Sequence, residues 1–288
     1  MEDQQVSGSA AAVASAPGGC STCGGGGAAP SSAQGQITLI GQVSAAFPSV
    51  YVEKEFAHLL GQKDFKGFTD GQTMHAVLSQ RQNRYLARKL CFLHTPYGSG
   101  TAPAYVLVPE APEDLDLLID TLKRSPSASE FDVVKGQVVG IAPPAMCNTM
   151  QLPLVAFSQL YSFGVGDFVK SIPRPAETPA ADFEAACDEV FHRALRIASN
   201  ASGPMLALSY ALLSYAGLYN LVAQKYSENS SLANVSVQQS PANPDLAEVR
   251  LKFVKRDNGY SESYCFGVNY AGPFQHLEEP LHPCFELS

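Results

Sequence analysis

Cys20 and Cys23 stand in a C-x-x-C pattern inside the glycine run Gly18–Gly27, GGCSTCGGGG. Two thiolates on a tight turn can reach one metal ion, so this spacing is the usual first half of a tetrahedral zinc site. No second C-x-x-C or C-x-x-H follows, and the remaining ligands would have to come from far along the chain. Cys147, on irregular backbone among the prolines of APPAMCN, is the first candidate; Cys284 or His282 is next, because a terminal segment can fold back. A structural zinc would offset the ordering entropy of a stretch with little apolar surface to bury. Two solvated thiols on a flexible linker is the competing reading. A redox pair fits less well, since no βαβ pattern puts these cysteines at a helix N-terminus.

Other chemistry is harder to assemble. The sequence has no G-x-S-x-G, no P-loop and no H-E-x-x-H. Its glycine-rich tail follows no strand, which excludes a dinucleotide fingerprint. The six histidines are scattered: His58 and His192 fall on predicted helices and His94 ends a predicted strand. Cys91 and Cys187 sit on apolar faces and read as core. Glu278 and Glu279 are neighbours that point apart. No catalytic residue is assigned. An enzyme reading would have to draw on Cys147, His94 or the acids.

The elements that would position these residues read as α+β, with mixed helices and antiparallel hairpins in two lobes. The chain has 288 residues, is 45% hydrophobic and 16% charged, and carries a formal net charge of −8. Residues 1–36 are Gly, Ala, Ser and Gln with two charges, and read as a flexible tail. Residues 37–178 read as a first α/β lobe. In it, Ser49 caps a helix to Leu60, Arg84–Thr95 and Ala104–Pro109 are predicted strands, and Pro112–Arg124 is a helix with acids first and bases last. Asp132–Ile141 and Leu154–Phe163 are further strands. The three prolines of Ile172–Asp182 mark a boundary. Residues 179–288 read as a second lobe of two helices and a hairpin. Phe183, Cys187, Val190, Phe191, Ala194 and Ile197 form one helical stripe. Val249, Leu251 and Phe253 alternate with charges, and Asn258-Gly259 supplies the turn. Ala201–Gln224 is nearly free of charge, but three Ser, three Tyr and an Asn interrupt it, so it reads as a buried core helix rather than a membrane span.

Acidic balance and the lack of a basic block argue against nucleic acid. The N-terminus lacks the basic and apolar regions of a signal peptide. Seven cysteines, mostly in apolar segments, suit a reducing cytoplasm better than a disulfide framework.

Six segments in order resemble one family: FPSVYVEKEFAHLLGQ (47–62), NRYLARKLCF (83–92), YVLVPEAPEDLDLLIDTL (105–122), IAPPAMCN (141–148), PLVAFSQLYSF (153–163) and KSIPRP (170–175). Together they resemble the C-terminal domain of unknown function of PatA- and PatG-type cyanobactin maturation proteins. The resemblance covers about residues 37–288 and is strongest over 83–175. It implies a role in ribosomal peptide natural-product biosynthesis but no chemistry, since the subtilisin-like protease module of the multidomain relatives is absent from this sequence. The expected role is therefore a non-catalytic accessory protein. Its expected partners are a precursor peptide, the modifying enzymes of the pathway, or a second copy of the chain; no nucleic acid and no membrane are expected. The competing readings are a peptide-modifying enzyme, or a tail whose CSTCGGGG is itself a modified substrate.

Overall fold

The computed structural model describes residues 35–61, 66–125, 127 and 129–284. Cys20 and Cys23 lie outside them.

The first strand, β1 (Gln36–Ala46), serves three neighbours. Its first half pairs antiparallel with β4 (Glu130–Ile141) and its second half with β2 (Cys91–Pro96); Gly41 takes part in both registers. β2 pairs antiparallel with β3 (Tyr105–Pro109), β3 runs parallel to β5 (Pro153–Gly164), and β5 returns antiparallel to β4. The five strands therefore close on themselves in the order β1-β2-β3-β5-β4-β1. With helix α4 (Leu115–Thr121) between β3 and β4, this is a Greek-key barrel of the OB type. Closure is tight at two glycines. A Cβ on Gly41 would overlap the Thr95 carbonyl, and one on Gly136 the Ala156 carbonyl. Gly136 also sits at a register shift against β5, the kind of bulge that lets a strand bend round a barrel.

Leu39, Phe92, Leu107, Val134, Val155 and Phe157 share one buried cluster with Leu115, Leu118 and Ile119 of α4. Each such side chain removed from water contributes about 1.5–3 kcal/mol. The long β1–β2 connection adds to this cluster through α1 (Val50–Leu60), α2 (Asp70–Leu78) and α3 (Arg84–Ala87). Ser49, expected as a cap, accepts the Val52 amide at 3.4 Å. Thr69 and Gln72 form a capping box on α2. The strand expected over Arg84–Thr95 begins only at Cys91. Leu86 and Leu90 stand at helical spacing and both reach the barrel cluster, which favours a helical turn before the strand.

The second half covers the outer face of β1 and β4. Ile40, Phe131 and Val133 pack in one cluster with residues of α5 (Val165–Ser171) and α6 (Ala180–Ala198). β6 (Asn200–Ser202) pairs with Ile37–Leu39 of β1. Ile197, expected on the buried stripe of α6, is 44% exposed, while Leu195 and Ala198 are buried instead. The single helix expected over Ala201–Gln224 is two, α7 (Leu206–Ser214) and α8 (Ala216–Ser227), bent by 74°. Tyr215 takes extended backbone at the break. From there its ring packs on Phe266 at 5.2 Å and its hydroxyl accepts the Leu281 amide. Among the described residues no single helix is long and apolar enough to cross a membrane.

A four-stranded antiparallel sheet completes the chain: β7 (Ser230–Gln239), β8 (Leu246–Lys255), β9 (Ser261–Asn269) and β10 (His276–Cys284), in the order β10-β9-β8-β7. Val249, Leu251 and Phe253 are buried from β8 against α7 and α8, as the alternation predicts. Gly259, at φ +71°, makes the β8–β9 turn. The class is α+β.

Candidate functional site

A groove of about 610 Å³ opens where β2 begins and β3 ends. Its lining includes Leu90, Phe92, Val108, Pro109 and Pro112, together with Pro143, Ala145 and Met146. The last three belong to the loop joining β4 to β5. That loop folds back over the outer face of the barrel. Cys147, Met146 and Met150 pack there against Cys91, Leu93 and Val106. A disulfide between Cys91 and Cys147, with Cα atoms 5.2 Å apart, ties the loop to the start of β2.

Three charged side chains reach the groove: Arg88, Lys89 and Glu110. Lys89 is committed, since its ammonium lies 2.9 Å from Glu55 and 5.2 Å over the Tyr85 ring. Arg88 is exposed and makes no ion pair among the described residues. Arg84, one turn earlier, pairs with Asp116 of α4 and so fixes the helical turn that presents Arg88.

A second, polar cavity of about 250 Å³ marks the seam where β1 leaves β4 for β2. Asp132 lies on its wall. Its Oδ2 accepts the Val43 amide at 2.8 Å and its Oδ1 the Ser162 hydroxyl at 2.5 Å. Burial raises its pKa, with the two hydrogen bonds opposing. Gln42 donates to the Ser127 carbonyl at 2.7 Å beside it. His94 faces Val43 across the β1–β2 pairing and is fully buried. Neither ring nitrogen meets a partner at good hydrogen-bond geometry, and burial, opposed only weakly by the Asp132 backbone, pushes its pKa down to about 3.

The residues singled out from the sequence are dispersed by this fold. Cys147 is disulfide-bonded, and so is Cys284, to Cys265. His282 lies on β10, where its Nδ1 donates to the Pro280 carbonyl at 2.9 Å. Among the described residues no group of three or more His, Cys, Asp or Glu is placed to hold a metal. Zinc binds the thiolate, so a sulfur held in a disulfide cannot serve as its ligand. Cys147 and His94 are not a nucleophile and its base: the sulfur is bonded to Cys91, and β2 alternation sends Cys91 and His94 to opposite faces. Cys187 is buried in α6, where desolvation raises its thiol pKa to about 12. Glu278 and Glu279 are exposed on the edge strand. Sequence reasoning did not find Arg88 or the groove, because both depend on where the β4–β5 loop folds.

Comparison with known proteins agrees with this architecture. Residues 37–162 match the model of a family described as PatG Domain. That span covers the barrel from β1 to all but the last residues of β5. A solved structure described as "PatG Domain of Unknown Function" aligns over 87% of this chain and 99% of its own, with a TM-score of 0.67 and 16% identity, a likeness of fold. No curated protein matches. Residues 37–162 of this chain thus match a PatG-type domain of unknown function, and the likeness of fold extends over most of the chain.

Proposed function

We propose that the chain is a non-catalytic accessory protein of cyanobactin-like biosynthesis that binds precursor peptide or the enzymes that modify it. The PatG-type domain suggests the pathway. The observation that supports binding is the groove beside β2 and β3, open to solvent, walled by apolar side chains and prolines, and carrying a guanidinium at its rim. It lies within the volume range typical of ligand clefts. Calorimetric titration of a synthetic precursor peptide into the full chain tests the reading. Saturable heat is expected. No heat, together with failure of the pathway's modifying enzymes to co-purify, would sink it.

A further inference from the structure

We infer that the groove at the head of β2 and β3 holds one extended segment of peptide, with apolar side chains in the cavity and a carboxylate against Arg88. The inference rests on the accessory-binding reading above and says where and what the chain binds.

Three observations converge. The first is topological. A barrel with this strand order presents the outer face of strands 2 and 3, flanked by the loops between strands 1 and 2 and strands 4 and 5, as its ligand surface. The groove lies at the end of that face: Arg88 and Leu90 end the β1–β2 connection, Val106 and Val108 belong to β3, Ala145 and Met146 belong to the β4–β5 loop, and Phe92 and Leu115 reach it from the barrel cluster. The second is that much of this face is already covered. The disulfide-tied loop packs Cys147 and Met146 on Leu93 and Val106, leaving a cleft of about 610 Å³ beside the loop rather than a bare strand face. A cleft of that volume suits a short segment of one chain.

The third is chemical, and it separates peptide from nucleic acid. OB barrels that hold single strands use aromatic platforms and a run of cations along the backbone. Here Phe92 is buried at 3% exposure and the net charge is −8. Lys89 is occupied by Glu55, and Glu110 stands in the lining. One unpaired cation beside apolar walls matches one carboxylate beside apolar side chains. The proline walls carry no amide N–H, so they offer apolar contact and leave the ligand's backbone to water.

Fluorescence anisotropy on the full chain tests this. The probes are a labelled apolar hexapeptide with a free C-terminal carboxylate, the same hexapeptide as its amide, and labelled oligo(dT). The free acid is expected to bind. Arg88→Ala and the amide should each weaken binding about tenfold, and together no more than either alone. Ala145→Trp, at an exposed loop position, should abolish it while thermal melts match wild type. Equal affinity of the acid for wild type, Arg88→Ala and Ala145→Trp would overturn the inference, as would oligo(dT) competing for the same site. A precursor peptide that still binds Ala145→Trp would move the binding site elsewhere and leave the accessory role standing. Failure of every peptide to bind, with no enzyme co-purifying, would end both.

Discussion

The Asp132 carboxylate accepts the backbone amide of Val43 at 2.8 Å, at the seam where β1 passes from β4 to β2. β4 can no longer supply a backbone carbonyl there, and the side chain takes its place. Replacing Asp132 by Ala should cost about 1–3 kcal/mol by orphaning that amide. Asp132→Asn keeps an acceptor for Val43 and loses the charge. Burial raises the Asp132 pKa above its ordinary 3.8, so its contribution is full below about pH 3.8 and falls as pH rises through the raised value. Asn should therefore gain on wild type as pH rises from 4 toward 7. Melting curves of both proteins across that range check it; a constant difference would show that the carboxylate does not titrate there.

His94 makes the opposite prediction. Its folded pKa of about 3 lies below the ordinary 6.5. The unfolded chain takes up the proton first, so stability is full above about pH 6.5 and falls toward pH 3, at about 1.4 kcal/mol per pH unit over that range. His94→Leu should flatten this part of the acid slope and cost less than about 1 kcal/mol at pH 7, since it also removes two polar atoms that lack a well-formed hydrogen bond. Urea denaturation at pH 7 and pH 5 decides: an unchanged slope in the variant would place the acid sensitivity on other groups.

Gly41→Ala should remove about 3 kcal/mol or more, because the added methyl meets the Thr95 carbonyl, a backbone atom that cannot swing aside. Gly166→Ala in α5, where a Cβ meets open space, should instead add about 0.5–1 kcal/mol. Paired thermal melts read both effects, and a tolerated alanine at position 41 would contradict the tight crossing.

The proposed zinc clip and the Cys91–Cys147 disulfide compete for one sulfur. Reduced protein, purified without chelator, should carry about one zinc per chain through Cys20, Cys23 and Cys147, with Cys284 or His282 able to complete the set. Oxidised protein should carry none. Metal analysis of both forms and of a Cys20→Ser, Cys23→Ser variant tests the clip, and metal-free reduced wild type would dismiss it. Opening the disulfide, which closes a separation of 56 residues, should cost about 2–4 kcal/mol in the absence of metal.

What was legible in the sequence was local. The Ser49 cap, the acid-first helix after Pro112, the alternation of Val249, Leu251 and Phe253 and the Asn258-Gly259 turn all depend on neighbours within a few residues. The misread segments were those in which distant packing decides. Leu86 is helical and Leu90 follows it in the turn before β2 because the barrel core receives them both. Tyr215 breaks its helix to reach Phe266 and Leu281. The groove had no signature at all: Arg88 sits in an ordinary run of charges, and only the β4–β5 loop, brought back to Cys91, makes it the rim of a cavity. Cysteine pairing is likewise invisible to spacing.

β1 also sets a timetable for the nascent chain. Among the described strands Gln36–Ala46 is made first, yet its partners arrive with β2, then β4, and last with Asn200–Ser202. At ordinary rates of synthesis one edge of Ile37–Leu39 stays unpaired for roughly 10–30 s before β6 can be made. The five barrel strands can close once β5 is made, but the edge of β1 at Ile37–Leu39 stays open until the segment after α6 arrives. Such long-range closure is slow to nucleate, and truncation anywhere before Ser202 would release a chain whose leading strand still lacks one of its partners.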